Sequence, residues 1–383
     1  MKGGYDAVVL GAGIVGAACA LECTKAGMHV AVVERDAVGS GATAAGMGHI
    51  VVMDDSEAQF ALTSYSQQLW SELSAELPAG AEYVQCGTIW VAADDEEMLE
   101  VRRKMEFYEA RDIPAEVLDS QTLAEAEPKL RPSLAGGLCV PSDAVLYPPC
   151  AAGHLLDSAK QQPAGLDLIW GRVVQAGDGR VLLADGQQIE SQTIINATGA
   201  LSPTLTDGIA VRKRKGHLII TDRYPGFLRH QLVELGYLKS AHSSTADSVA
   251  FNVQPRLTGQ LLIGSSRQFD AEDSGVDRDI VAAMVERACL YMPEIASLSA
   301  LRVWSGFRAA TPDKLPLIGP TEDSSLFLAT GHEGLGITTS LATARLLADH
   351  LLGRESAIPL DPYLPCRLAK ECNPASQMEV FHA

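Results

Sequence analysis

Residues 5–34 leave this chain few choices of fold. Tyr5 to Leu10 is a short apolar run rich in valine and reads as a buried strand. It leads into Gly11-Ala12-Gly13-Ile14-Val15-Gly16 and then into Ala-, Cys- and Leu-rich sequence of helical character. A second apolar strand, Met28 to Val33, ends in Glu34. The pattern is G-x-G-x-x-G between a strand and a helix, with an acid closing the next strand: a dinucleotide-binding βαβ unit. Gly11 permits the tight turn, Gly13 lets the backbone approach a pyrophosphate, and Gly16 lets helix and strand pack closely. The helix start offers N–H donors and a positive dipole end to the phosphates. Glu34 offers acceptors to ribose hydroxyls and would repel a 2′-phosphate. Ile14, Val15 and Arg35 are placed with these residues at the nucleotide.

At 383 residues the chain can bury two cores, so two domains are expected. Apolar residues make up 47% and charged residues 20%, as in ordinary globular proteins. The formal charge of −18 argues against nucleic acid and anionic membranes as partners, because phosphate contacts need a basic surface. No apolar run approaches the length of a membrane span. The chain enters its first strand within a few residues and shows no secretory signal, so a cytoplasmic location is expected. Its eight cysteines are scattered without a C-x-x-C or iron–sulfur pattern, and no metal site is assigned. Cys19 and Cys23, one helical turn apart, are expected to act as small buried hydrophobes. Cys366 and Cys372 lie in a Pro-flanked tail. Free thiols are the expectation there, with a ligand or redox pair left open.

The dinucleotide unit continues into the small-residue run Gly39 to Gly48, which suits backbone lying against a flat ligand and equally suits a flexible loop. Gly41, Ala42, Thr43, Ala45, Gly46 and Met47 are its candidate contacts. Helical spacing runs from Ser56 to Leu77, a charged amphipathic helix from Glu96 to Ala110, and further helices over Cys150–Lys160, Asp277–Tyr291 and Thr338–Leu352. Tyr83–Ala92 reads as a strand pair, and Leu130–Tyr147 as turns and short strands. Asp167–Gln175 and Arg180–Leu183 read as strands around Gly177-Asp178-Gly179. Gln192–Asn196 is a buried strand ending in Ala197-Thr198-Gly199, a small turn suited to lie beside a nucleotide. Alternating strands fill Gly216–Ser266, and Leu326–Ala329 is the last buried strand. The expected class is α/β plus α+β: a Rossmann domain from 1–85, 142–212 and 301–383, and a mixed-sheet domain from 86–141 and 213–300.

Taken together, several motifs resemble the FAD-dependent D-amino-acid oxidase family over nearly the whole chain in order. They are Gly11/Gly13/Gly16 with Glu34, the Gly39–Gly48 loop, and Asn196-Ala-Thr-Gly199. They continue with Gly306-Phe-Arg308, Pro312-Asp313…Pro316-Leu-Ile-Gly319, and Gly331-His332…Gly336-Ile337. Within the family they are similar to glycine oxidase, sarcosine oxidase β-subunits, D-hydroxyproline dehydrogenase, and the corresponding subunits of opine oxidase and hydrogen cyanide synthase. The run Gly331-His-Glu-Gly-Leu-Gly-Ile-Thr-Thr339 is most similar to the last three.

The resemblance implies a glutathione-reductase-type FAD domain with a second domain laying a mixed sheet over the flavin. It implies removal of hydride from the Cα–H of an amino acid or amine such as D-hydroxyproline, a proline-like acid or an opine, giving an imine that water hydrolyses. It places Leu335, Gly336 and Ile337 near the flavin O2, with Gly331, His332, Gly334 and Thr338 around that turn. It adds Val173, Ala197, Thr198, Gly199 and Gly306 to the FAD contacts. Arg308 matches the arginine that holds the substrate carboxylate. His49 is a candidate over the ring, or a structural hydrogen bonder. Where some relatives carry a second arginine after Gly-His, this chain has Glu333-Gly334-Leu335. Either one arginine suffices, or Glu333 meets a positive group of the substrate. FAD is expected to be non-covalent. Arg212, Lys213 and Lys215, in the one dense basic run, are candidates for the phosphate of an FMN at a subunit interface, or plain solvated charge. The chain is expected to work in a multi-component dehydrogenase, with companions carrying FMN or an iron–sulfur cluster. The alternatives are a homomeric oxidase producing hydrogen peroxide and a non-catalytic flavin-binding subunit.

Overall fold

In a computed structural model that describes residues 4–236, 247–269 and 271–371, the chain forms two main sheets. The first has the order Leu317–Pro320, Leu326–Thr330, Ile194–Asn196, Ala7–Leu10, Val30–Glu34, Leu166–Trp170. Its last five strands run parallel, and the edge strand Leu317–Pro320 is antiparallel to its neighbour. These strands carry near-continuous Val, Ile and Leu because both faces are covered, as a parallel sheet requires. Helices Ile14–Lys25, Pro148–Lys160 and Gly336–Leu351 pack together on one face around a common core. Gly16 is needed for the first of these. A Cβ there would lie 2.0 Å from the Gly11 carbonyl oxygen, so any side chain would push the helix off the nucleotide turn.

The second sheet has eight strands in the order Ala300–Ala310, Arg212–Thr221, Leu261–Arg267, Ser248–Pro255, Gln231–Glu234, Thr88–Ala92, Gly136–Val140, Glu116–Asp119. Helix Arg278–Tyr291 covers its outer face, where Tyr291 stacks on Phe251 with centroids 4.5 Å apart. A three-stranded meander, Val173–Gly177, Arg180–Leu183 and Gln188–Glu190, turns at Asp178-Gly179.

Several sequence expectations shift. Strand Ala300–Ala310 pairs along its length with Arg212–Thr221 in the second sheet, so a division at residue 301 cuts that sheet. Its Ser-Gly-Phe-Arg centre obscures the strand pattern, because a glycine and polar residues stand where apolar ones are expected. Tyr83–Ala92 is one strand, Thr88–Ala92, preceded by an isolated bridge from Val84 to Val145. Asp167–Gln175 breaks into two strands at Gly171-Arg172, and Glu116–Asp119 with helix Ser120–Ala126 went unread.

Candidate active site

A cavity of about 840 Å³ is lined from both sheets. The nucleotide turn contributes Gly11, Gly13, Ile14 and Val15. The helix that follows has no side-chain cap at Gly13; instead the Ile14 N–H donates to Thr43 Oγ1 at 3.0 Å. A Cβ on Gly13 would lie 3.1 Å from that same oxygen, so the small-residue loop seats directly on the turn. Gly41, Ala42, Thr43, Ala45, Gly46 and Met47 of this loop all line the cavity.

Glu34 and Arg35 line it too. Glu34 is buried, and its oxygens accept from the N–H groups of Ala12 at 2.7 Å, Arg35 at 2.9 Å and Asp36 at 2.8 Å. A carboxylate accepts about four hydrogen bonds, so this clasp leaves capacity for one more donor. Val173, Ala197, Thr198 and Gly199 also line the cavity. Their turn is tied down by fully buried Asn196. Its Nδ2 donates to Ser202 O and Thr206 Oγ1, and its Oδ1 accepts from Thr198 N and Oγ1. Gly16 is packed against Gly11 rather than the cavity.

The last helix begins at Gly336 without a side-chain cap, and Leu335, Gly336 and Ile337 line the cavity with Gly334 and His332. Trp70 Nε1 donates to the carbonyls of Ile337 and Thr338, both at 3.1 Å, which fixes this turn from behind. Thr338 is not a lining residue. It is fully buried and its Oγ1 donates to His49 O at 2.9 Å, so it positions His49. Gly331 is likewise outside the cavity, in left-handed backbone against Thr311 and Leu317.

His49 lines the cavity, and its shielded Nδ1 has no protein partner. Burial pushes its pKa down to about 4, against a hydrogen bond to the Gly334 backbone and helped by the Arg308 charge. It is a neutral imidazole near pH 7. His332 bonds Thr343 through Nε2 at 3.0 Å, and burial pushes its pKa down to about 3. It is a neutral, packed residue at the turn.

Arg308 lines the cavity, and its Nη1 donates to the Ser266 carbonyl at 2.9 Å. Its guanidinium lies flat on Gly216, where a Cβ would fall 2.5 Å from Nη1 and 2.9 Å from both Cζ and Nη2. Gly216 stands opposite Gly306 in the strand register, and a Cβ on Gly306 would lie 2.3 Å from the Ala45 Cβ. Two facing glycines therefore open a trough that admits the loop on one side and the guanidinium on the other.

Arg214 stands opposite Arg308, a like-charge pair that the sheet tolerates because Arg214 bonds Glu333. Glu333 is thus engaged by a cation of the chain itself through Oε1, while its buried Oε2 has no partner among the described residues and is the atom open to a positive group of a substrate. The basic run is only partly at the cavity. Lys213 pairs with Glu272 and Lys215 with Asp273, and Lys213 lines the cavity whereas Arg212 and Lys215 do not.

Among the lining residues that sequence reading missed, Trp90, Gln231, Asn252, Ser265 and Arg267 lie on the second sheet, with Gly216 beneath Arg308. Only their alternation within strands signals them, and nothing in the sequence says which face a strand turns to the cavity. Among the scattered cysteines, Cys19 and Cys23 are buried thiols, and burial pushes Cys23 up to about 12. Cys366 is a free, exposed thiol, and Cys372 lies outside the described residues. Among the described residues no helix is long and apolar enough to cross a membrane.

Residues 6–350 match the DAO family model, described as FAD dependent oxidoreductase. The chain belongs to that family. It is an FAD-dependent oxidoreductase, and the uncapped helix starts, glycine turn and small-residue loop around the cavity fit a dinucleotide of that kind. It is 28% identical to glycine oxidase of Geobacillus kaustophilus, over 94% of this chain and 96% of that protein. It is also 28% identical to hydrogen cyanide synthase subunit HcnC of Pseudomonas aeruginosa, over 96% of this chain and 97% of that protein. The crystal structure of glycine oxidase from Geobacillus kaustophilus superposes with a TM-score of 0.84 at 26% identity, covering 94% of this chain and 98% of the other.

Proposed function

We propose that this enzyme oxidises the Cα–H of an amino acid or secondary-amine acid whose carboxylate is held by Arg308. The observation that carries the reading is the guanidinium of Arg308, laid on Gly216 and tied to Ser266 O, inside the cavity that the nucleotide turn and the last helix start also line. FAD, when bound, supplies the acceptor for the hydride. The Gly11–Gly16 turn and Thr43 would hold its pyrophosphate, Glu34 would accept from the ribose hydroxyls, and the N–H groups at Leu335–Ile337 would stabilise negative charge on the reduced group. Arg308 clamps the carboxylate by a planar fork, so the Cα–H is held in one orientation. His49, kept neutral by burial, adds no charge beside that carboxylate. Cα gives up its hydrogen with the bonding pair and the nitrogen gives up a proton. The resulting imine is hydrolysed by water to an oxo acid and an amine. Among the described residues no cysteine lines the cavity, and of the lining histidines, His217 and His332 are bonded to Ser266 and Thr343, so we read FAD as non-covalent.

For the finer identity, the Gly331–Thr339 run supports a secondary amine such as D-hydroxyproline, a proline-like acid or an opine, oxidised by a dehydrogenase that works in complex with companion proteins. Likeness over nearly full length to a protein named as a synthase subunit supports the same reading. Equal likeness to a glycine oxidase supports the alternative, a free oxidase making hydrogen peroxide. A second flavin at a companion interface is the weaker part of this reading, since Lys213 and Lys215 already face carboxylates of the chain. The test is expression of the chain alone and with its genomic neighbours. Slow peroxide with fast dye reduction in the complex supports the multi-component dehydrogenase. Fast peroxide from the isolated chain overturns it. A protein that binds FAD tightly yet is reduced by no amine would be the non-catalytic case.

A further inference from the structure

The cavity face of the second sheet carries a row of polar side chains that the reaction above does not use. Trp90, Gln231, Asn252 and Ser265 come from four strands that lie side by side, Thr88–Ala92, Gln231–Glu234, Ser248–Pro255 and Leu261–Arg267. Register brings them together: Trp90 pairs with Val233, Val233 with Asn252, and Asn252 with Gly264, next to Ser265. Their exposures are 3%, 2%, 8% and 5%. Trp90 Nε1, Gln231 Oε1, Asn252 Oδ1 and Ser265 Oγ have no hydrogen-bond partner among the described residues.

A buried polar atom left unpaired costs about 1–3 kcal/mol, and sheets rarely place four on one face without a use. The amide ends of Gln231 and Asn252 present oxygen or N–H₂ according to rotation, so both serve a ligand acceptor as readily as a donor. Arg267 lines the same cavity, two residues beyond Ser265 on one strand. Arg308 is bonded to the carbonyl of the residue between them. From the second sheet, Arg267 and Arg308 therefore line the cavity together with Arg214, which is paired with Glu333, in a chain whose formal charge is −18.

We infer that the chamber is built for a substrate with two acidic arms: an α-amino dicarboxylate or a dicarboxylic secondary amine. One carboxylate lies on Arg308, and the second lies toward Arg267 with donors from Trp90, Ser265 and the two amides. This inference rests on the amine-oxidising reading and narrows its substrate class. A site that pairs buried polar groups with its substrate discriminates strongly against analogues lacking them. An amino acid with a small apolar side chain would leave this row unpaired.

The test uses the FAD-loaded full chain, mixed anaerobically with iminodiacetate, both hands of aspartate and glutamate, and N-carboxyalkyl amino acids. Glycine, sarcosine, alanine and proline are run beside them, and the loss of oxidised-flavin absorbance is followed. The expected result is at least one dicarboxylate reducing the flavin a hundredfold more efficiently than any monocarboxylate. Arg267→Gln should then cost the dicarboxylate at least tenfold more than the best monocarboxylate. Should Arg267→Gln fail to fold, Ser265→Ala and inhibition of the parent enzyme by malonate against acetate replace it, with malonate expected to bind tighter. Monocarboxylates equal to or better than dicarboxylates, or equal losses for both in the variants, would overturn the two-arm chamber and leave amine oxidation standing. No reduction by any amine of either class would overturn the reading beneath it, and the chamber with it.

Discussion

Replacing Gly216 by alanine isolates the geometry on which substrate binding depends. The new methyl would fall 2.5 Å from Arg308 Nη1 and 2.9 Å from Cζ. Non-bonded carbon contacts relax at about 3.5–4.0 Å, so the guanidinium must lift by roughly 1 Å. The obstacle is the far end of a flexible side chain, and Gly216 is not among the left-handed glycines, so the fold has no reason to resist. Alanine in a strand even gains about 0.5–1 kcal/mol over glycine in backbone entropy. The carboxylate clamp, however, loses its fork. A charged hydrogen bond is worth about 1.5–3 kcal/mol, and a 1 Å misplacement costs about 100-fold. The expected outcome is kcat/KM for the best amino-acid substrate down by about 30- to 100-fold, with unchanged FAD content and a Tm equal to or slightly above the parent. Anaerobic flavin reduction and thermal melting of the same preparation measure both. An unchanged kcat/KM would show that the guanidinium on Gly216 does not hold the substrate.

Other outcomes follow from the same structure. Gly13→Leu places a side chain into Thr43 Oγ1 and the pyrophosphate turn, so purified protein should carry less than a tenth of the parent's FAD by absorbance. Parental FAD release by acid or heat should yield intact FAD, whereas flavin left on the denatured chain would mean a covalent bond. Asp143 is fully buried, and burial pushes its pKa up to about 7. The folded state then holds a proton that the unfolded state has lost, so stability falls as pH rises from about 4 to 7. Asp143→Asn should therefore be more stable than the parent at pH 8, by roughly 2–4 kcal/mol in urea unfolding, and the advantage should vanish below pH 4. A constant difference across pH would remove Asp143 as the cause. His49 works in the opposite direction: pushed down to about 4, it costs stability as pH falls from its ordinary range toward 4, and His49→Asn should flatten that loss in thermal melts.

How much was legible in sequence depended on whether local rules applied. The turn Gly11–Gly16, the small-residue loop and the start of the last helix were readable because glycine spacing and apolar runs act over a few residues. Gly16, Gly331 and Thr338 were read with them, yet they support the cavity from behind, since motif spacing does not separate a lining residue from its prop. Residues 301–310 were grouped with the Rossmann domain, whereas they pair with Arg212–Thr221 in the second sheet, a non-local fact. The pairing of Glu333 with Arg214, 119 residues away, could not be seen from either position. The polar row on the second sheet was silent for the same reason, for a strand's alternation gives two faces and only packing selects one.

The central claim is that this cavity oxidises an amine anchored by its carboxylate through Arg308. Its most direct measurement compares anaerobic flavin reduction by one good amino-acid substrate, its methyl ester and its decarboxylated amine, in the parent and in Arg308→Lys. Rapid reduction by the acid alone is expected, with a loss of about 30- to nearly 1,000-fold on Arg308→Lys and FAD retained. Ester or amine reducing the flavin as fast as the acid, or an Arg308→Lys enzyme with parental efficiency, would contradict it.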